Sequence, residues 1–260
     1  MHAETGVRLL PKESVMKILV LAAGYATRLR PLTTDQPKPL LPVGGRPMLD
    51  LILDRFHGCE QIDEVLVVTN HKFARHFSCW ADTAQTLHPG WRFRIFDDAT
   101  LTNEDRLGAI GDIGYVLSQT QLDDDLLVIA GDNLFTAPLK GFVETAERRG
   151  ILVGIYDVGD LEAIRQYNNI TLDAEQRITH FEEKPQQPKS TLTAIALYHY
   201  PRWALPLIRR YLAEGNNPDQ PGRLVQWLYP QVACYGYPIP GRWLDIGSLE
   251  TYEQAQHLMP

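Results

Sequence analysis

The densest chemistry in the chain lies in residues 21–43, LAAGYATRLRPLTTDQPKPLLPV. Small residues at Ala22, Ala23, Gly24 and Ala26 let backbone N–H groups approach an anion without side-chain obstruction. Arg28 adds a permanent planar charge able to grip two phosphate oxygens. Lys38 stands between Pro37 and Pro39, which hold the chain extended and so aim the ammonium. Small residues followed by fixed cations describe a phosphate loop. Two acids recur far from it in sequence. Asp132 sits in AGDN at 130–133 and Asp245 in WLDIGS at 243–248, each at the end of an apolar strand with a glycine close by. No Ser, Cys or His triad is visible. His71 reads as a polar helix-start residue, and Asp123, Asp124 and Asp125 lie at the wrong end of a strand for ligands and are assigned to solvent.

Residues 21–43 resemble the signature of the sugar-phosphate nucleotidyltransferases, whose usual form is L-A-G-G-x-G-T-R-L-x-P-L-T followed by P-K-P-L-x-P-V. The likeness, of the glucose-1-phosphate thymidylyltransferase and mannose-1-phosphate guanylyltransferase type, runs from Met16 to about Tyr252. It implies that Leu21, Ala22, Ala23, Gly24, Thr27 and Arg28 bind a nucleoside triphosphate, and that Arg28, Lys38 and Asp132 are catalytic. Asp132 and Asp245 are then the two aspartates that hold Mg²⁺. FEEKP at 181–185 matches the family's E-K-P, so Lys184 resembles the group that holds the acceptor's phosphate and Glu183 the one that binds sugar hydroxyls. TNEDRLGAIGDI at 102–113 lies where the family recognises the base. There Asn103 can read a base edge or serve as a loop or capping residue, and Gly108 can admit the ring.

The chain departs from the family pattern at several glycines. Ala23 and Ala26 stand where the family most often has glycine. Because alanine at positive φ costs about 1 kcal/mol or more, both are expected at negative φ, with Gly24 taking any special conformation. Asn168 and Ala196 replace glycines that leave room near the sugar, and should shrink or reshape the acceptor pocket. A deoxyhexose, a cyclitol phosphate or another small phosphate ester therefore stays open beside a hexose 1-phosphate.

The implied reaction is in-line attack of the acceptor's phosphate oxygen on the α-phosphorus of the triphosphate, releasing pyrophosphate and forming an NDP-sugar. Arg28 would hold the leaving pyrophosphate, and Lys38 would stabilise charge at the α-phosphate. One alternative is a cytidylyltransferase acting on phosphocholine or another alcohol phosphate, which an aromatic cage would favour. Another is a non-catalytic regulatory subunit that binds nucleotide sugar; the presence of Arg28, Lys38 and both aspartates speaks against it. The dinucleotide fingerprint of a dehydrogenase is missing.

Bringing these residues together requires strands that end near one another. Residues 17–22 (KILVLA), 64–69, 92–96 and 126–130 read as strands, and 46–58, 72–86, 107–119 and 138–149 as helices. This alternation predicts an α/β fold: a Rossmann-like mixed, mainly parallel sheet flanked by helices. Its ligand should lie beyond the carboxyl ends of the strands. Short strands at 151–156, 170–173, 177–183 and 193–200 complete the sheet and add a small antiparallel acceptor-binding lobe. A helix at 203–213, an irregular stretch rich in Gly, Pro and Asn, a strand into Asp245 and a last helix from about Ser248 close the chain.

Residues 16–260 read as a single nucleotidyltransferase domain, and 1–15 as an N-terminal extension that need not be ordered and lacks the apolar core of a signal peptide. The few residues after Asp245 leave no room for the C-terminal acyltransferase or β-helix that some larger relatives carry. A net charge of −7 with no Lys/Arg block excludes nucleic acid as the main partner. No apolar run reaches the roughly 20 residues that span a bilayer. Cys59, Cys79 and Cys234, odd in number and without C-x-x-C spacing, point to a reducing, cytoplasmic setting.

Overall fold

The structure, a computed structural model, describes residues 15–258, so the expected extension lies outside the described residues except for Val15. Its strands are β1 Met16–Leu21, β2 Pro42–Val43, β3 Arg46–Pro47, β4 Ile62–Thr69, β5 Arg92–Asp97, β6 Asp125–Ala130 and β7 Asn133–Phe135. There follow β8 Ile151–Asp157, β9 Asn168–Leu172, β10 Ile178–Glu183, β11 Leu192–Tyr200, β12 Cys234–Pro238 and β13 Trp243–Asp245. The helices are α1 Met48–Leu53, α2 Ala74–Leu87, α3 Ala109–Gln119, α4 Lys140–Arg149, α5 Leu161–Ile164, α6 Leu205–Ala213, α7 Gly222–Leu228 and α8 Leu249–Leu258. None is long and apolar enough to cross a membrane.

Seven strands form one sheet in the order β12-β8-β11-β6-β1-β4-β5. β1 pairs in parallel with both β4 and β6, β4 with β5, and β12 with β8, whereas β11 runs antiparallel between β6 and β8. The alternation of side chains along β1 explains why MKILVL is apolar but for Lys17. Met16, Ile18 and Val20 pack into one core and Leu19 into the other, so both faces are covered. Since β1 has β4 on one side and β6 on the other, crossovers leave it in opposite directions. A crevice therefore opens beyond the ends of β1 and β6.

Outside the large sheet, β9 and β10 form the expected antiparallel lobe. β7 pairs with β13, a contact that short strands this far apart in sequence did not announce. α7 and β12 also went unread, because Pro221-Gly222 looked like loop. Helix α1 is shorter than expected: it ends at Leu53 and tightens into a 3₁₀ turn, Asp54–Phe56.

The acid run before β6 is a second correction. Asp123 is exposed, but the side chain of Asp124 lies 3.5 Å from Lys17 Nζ. Asp125 Oδ1 accepts from the Arg202 N–H at 2.9 Å, and its Oδ2 lies 3.4 Å from Nε2 of the buried His199. Lys17 is itself buried in β1 and needs acids around it, and the β1–β6 register brings Asp124 and Asp125 to that end. His71 is as expected: it opens a 3₁₀ turn behind the Asn70 cap, with Nδ1 2.7 Å from Asp97 Oδ2.

Candidate active site

A cavity of about 350 Å³ opens in the crevice. One wall comes from the end of β1, with Leu21, Ala22, Gly24 and Ala26; the other comes from the end of β6, with Ala130, Gly131 and Asp132. Lys38 and Asp245 join them. Lys38 Nζ donates to Asp132 Oδ2 at 2.5 Å and to the Ile246 carbonyl at 3.0 Å. A Cβ on Gly131 would meet Pro39 Cγ at 2.8 Å, so this glycine lets the Lys38 segment press against β6. The β7–β13 pairing sets Asp245 opposite Asn133, and the Ile246 N–H donates to the Asp132 carbonyl at 3.0 Å.

Burial, followed by the neighbouring charge of Asp132, pushes the Asp245 carboxyl up to about 6, against the pull of Lys38 and Arg28. Arg28 is exposed and does not line the cavity; its guanidinium lies beside Gly247, close enough to Asp245 to act on its carboxyl. The two carboxylates lie near enough for the charge of Asp132 to act on Asp245, and that fits a hard divalent cation. Among the described residues no group of three or more His, Cys, Asp or Glu could hold a metal. Oxygens from substrate or water would have to complete the shell, as suits Mg²⁺.

The conformation of the phosphate loop overturns one expectation. Ala26 takes φ 46° and ψ 43°, the left-handed region, and Gly24 does not take a positive φ. Ala26 precedes the 3₁₀ turn Thr27–Leu29, and its carbonyl accepts from the Leu29 N–H at 3.0 Å and from Thr33 Oγ1 at 2.8 Å. These bonds hold the residue where its Cβ is disfavoured. Ala26→Gly should therefore stabilise the protein by about 0.5–1 kcal/mol, read as a higher denaturant midpoint at unchanged slope. A lower midpoint would show that no strain is stored there. Ala23 keeps a negative φ and is buried; its carbonyl accepts from Asn70 Nδ2 at 2.9 Å. Neither it nor the exposed Thr27 lines the cavity.

On the acceptor side, Glu183, Asn168 and Ala196 line the cavity. Asn168 does not fill it in the expected way. Its Nδ2 donates to the Ala194 carbonyl at 2.9 Å and its Oδ1 accepts from the Ala194 N–H at 2.6 Å, stitching β9 to β11. Lys184 is exposed at φ 49°, its N–H bonded to the Tyr167 carbonyl, and does not line the cavity. The sequence reading missed Tyr167, Tyr198, Gly222 and Trp243, all of which do. Trp243 carried a signal: it lies two residues before Asp245 on one strand, hence on the same face. Its Nε1 donates to Asn133 Oδ1 at 2.5 Å.

On the base side the structure keeps Asn103 and Gly108 out of this cavity. They border a separate cleft with Arg106, Pro218 and Asp219. Gly108 has φ 80°, and a Cβ there would lie 2.7 Å from the Pro218 carbonyl oxygen. The room it provides is taken by backbone; its neighbour Ala109 reaches the main cavity.

Behind this loop lies a pair the sequence reading did not single out. Asp98 and Asp112 are both buried, each with one carboxyl oxygen lacking a donor unless a proton is shared between them. Burial, then the charge of Asp98, pushes Asp112 up to about 8. Asp98 Oδ1 accepts from the Thr100 N–H at 2.8 Å and from Thr100 Oγ1 at 2.7 Å.

Comparison with known proteins bears on this geometry. The family model described as nucleotidyl transferase matches residues 17–259. A bifunctional protein GlmU from Methanocaldococcus jannaschii is 25% identical over 89% of this chain and 51% of its own length. A UTP–glucose-1-phosphate uridylyltransferase from Synechocystis is 27% identical over 92% of this chain and 62% of its own. The chain thus spans only part of the curated relatives it matches. A UDP-glucose pyrophosphorylase solved in complex with UDP-glucose superposes with a TM-score of 0.78 at 21% identity, covering 94% of this chain and 98% of that one, which shows a shared fold.

Proposed function

We propose that this chain, which belongs to the nucleotidyl transferase family, transfers a nucleotidyl group from a nucleoside triphosphate to a sugar 1-phosphate or related small phosphate ester. Pyrophosphate leaves and an NDP-sugar forms. One observation carries the reading: Lys38, Asp132 and Asp245 converge on a cavity beyond β1 and β6. There, two mutually repelling phosphates can be brought together.

The acceptor's phosphate oxygen is already an anion, so the protein's task is positioning and charge neutralisation. Backbone from Ala22 to Ala26 cradles the triphosphate. Lys38, aimed by its prolines, faces the α-phosphate, where charge grows as the new P–O bond forms and the bond to pyrophosphate breaks. Arg28 takes the departing pyrophosphate. Glu183 contacts the acceptor's body and Lys184, at the edge, its phosphate. Mg²⁺ held by Asp132 and Asp245 would, when bound, neutralise phosphate charge. The free cysteines, two of them buried, support a reducing cytoplasmic setting.

A matrix of common nucleoside triphosphates against phosphorylated sugars, cyclitols and phosphocholine, scored by Mg²⁺-dependent pyrophosphate release, tests this. Turnover of a sugar 1-phosphate is expected. Turnover of phosphocholine alone would move the protein to the alcohol-phosphate cytidylyltransferases. Tight binding of nucleotide sugar with no turnover of any pair would make it a regulatory subunit.

A further inference from the structure

The phosphate loop is tied down from behind at two points. Asn70 Nδ2 donates to the Ala23 carbonyl at 2.9 Å, and the Tyr25 hydroxyl donates to the Thr100 carbonyl at 3.1 Å. Asn70 and Tyr25 are both buried, so neither bond competes with water. Thr100 is in turn fixed by Asp98, whose Oδ1 accepts from both its N–H and its Oγ1. The Thr100 carbonyl also accepts from the His71 N–H at 3.1 Å. Thr100 is therefore a junction. Tyr25 reaches it from the loop after β1, His71 from the turn after β4, and Asp98 from the end of β5.

Behind the junction lies the acid pair. Asp112, in the first turn of α3, hydrogen-bonds Asp98 while it keeps its proton. Burial raises both carboxyls, and among the described residues no cation acts on Asp112 to offset it. The ionisable groups around the pair are Asp97 at the end of β5, with His71 bonded to it, and Tyr25 and Asp105 from the two loops. Tyr115 of α3 is bonded to the Asp97 carbonyl, Arg106 to Asp219, and Arg209 of α6 to the Leu117 carbonyl further along α3. Losing the shared proton sets two carboxylates against each other away from water. Asp112 is anchored in a helix, so Asp98, in the irregular segment after β5, is the side free to yield. Thr100, which it holds by two bonds, moves with it.

We propose that Asp98 and Asp112 are positioning residues for the nucleotide: their shared proton holds Thr100 where Tyr25 bonds it, so the phosphate loop is set for a triphosphate while the pair is protonated and slackens when it ionises. This rests on a triphosphate occupying that loop, as proposed above. Binding and protonation are then linked in both directions. If ionisation weakens binding, binding must draw a proton onto the pair. Asp112 holds its proton up to about pH 8, so affinity is full at neutral pH and falls as pH climbs past that value.

Calorimetry of ATP, CTP, GTP, UTP and dTTP with Mg²⁺ identifies the tightest binder, which is then titrated from pH 7 to pH 9.5 in buffers of differing ionisation enthalpy. The wild-type Kd should rise roughly tenfold across that span, with net proton uptake on binding near pH 8.5. Asp112→Asn donates to Asp98 at every pH, so its Kd should match the wild type at pH 7 and lose the rise. Tyr25→Phe cuts the link and leaves the acids alone. Its Kd should be weaker by roughly fivefold at pH 7 and should also lose the rise, while its melts keep the wild type's decline with pH. A merely structural pair would move stability and leave affinity untouched. A wild-type Kd that stays level, binding without proton uptake, or a Tyr25→Phe Kd that rises as steeply as the wild type's overturns the inference alone. If none of the triphosphates binds at pH 7, the nucleotide reading itself fails and takes this inference with it.

Discussion

Lys38→Ala is expected to cut pyrophosphate release by on the order of 10²-fold or more, and Asp132→Asn to do the same, with the fold intact in both. The size of the effect follows from where Lys38 is held. Its side chain is only 14% exposed and bonds both Asp132 and the Ile246 carbonyl, so its charge is fixed before substrate arrives. A preorganised charge costs nothing to reorient as negative charge grows on the phosphate, and water filling the vacated space cannot replace it. The fold should survive because Asp132 is itself 26% exposed and can be hydrated once Lys38 is gone. A pyrophosphate-release assay beside thermal melts separates these outcomes. Near-normal turnover in both variants would refute the roles assigned here.

Asp112→Asn should raise thermal stability, and more so as pH rises. An unfolded aspartate ionises near pH 4, whereas folded Asp112 holds its proton up to about pH 8. Between those values the native state binds the extra proton. Wild-type stability therefore falls as pH climbs through this window and levels off above it. Each unit of separation is worth at most about 1.4 kcal/mol, so the accumulated cost is on the order of a few kcal/mol. Asparagine keeps the shape and can donate to Asp98 without ever ionising. Melts at pH 5 and pH 9 check this: the variant and wild type should nearly coincide at the lower pH and separate by several degrees at the higher. Parallel curves would show that the pair does not titrate in this way.

The fold was legible where physics acts locally. Five of the six residues of β1 are apolar, a run that has to be covered on both faces, and alternation with helices points to a mainly parallel sheet with its site at the carboxyl ends. Lys38, Asp132 and Asp245 could be named because each follows or flanks a recognisable element. What escaped reading depends on contacts between distant segments. The conformation of Ala26 is set by Thr33 and Leu29 bonding to its carbonyl, and no propensity scale reports that. Gly108 was expected to leave room for a ring, yet Pro218 fills that room from a stretch that read as irregular. Asn168 was expected to crowd the acceptor, but β11 offered its amide a backbone partner.

The pairing of β7 with β13 bears on how the protein becomes competent during synthesis. Lys38 leans on a carbonyl 208 positions further along the chain. A ribosome-bound intermediate that has already made β1, β6 and Asp132 still lacks Asp245 and the strand that braces it. Such a fragment could gather part of the phosphate cradle without being able to turn over. On the proposed reading, catalytic competence would then arrive late, after the mainly parallel half of the sheet has been made.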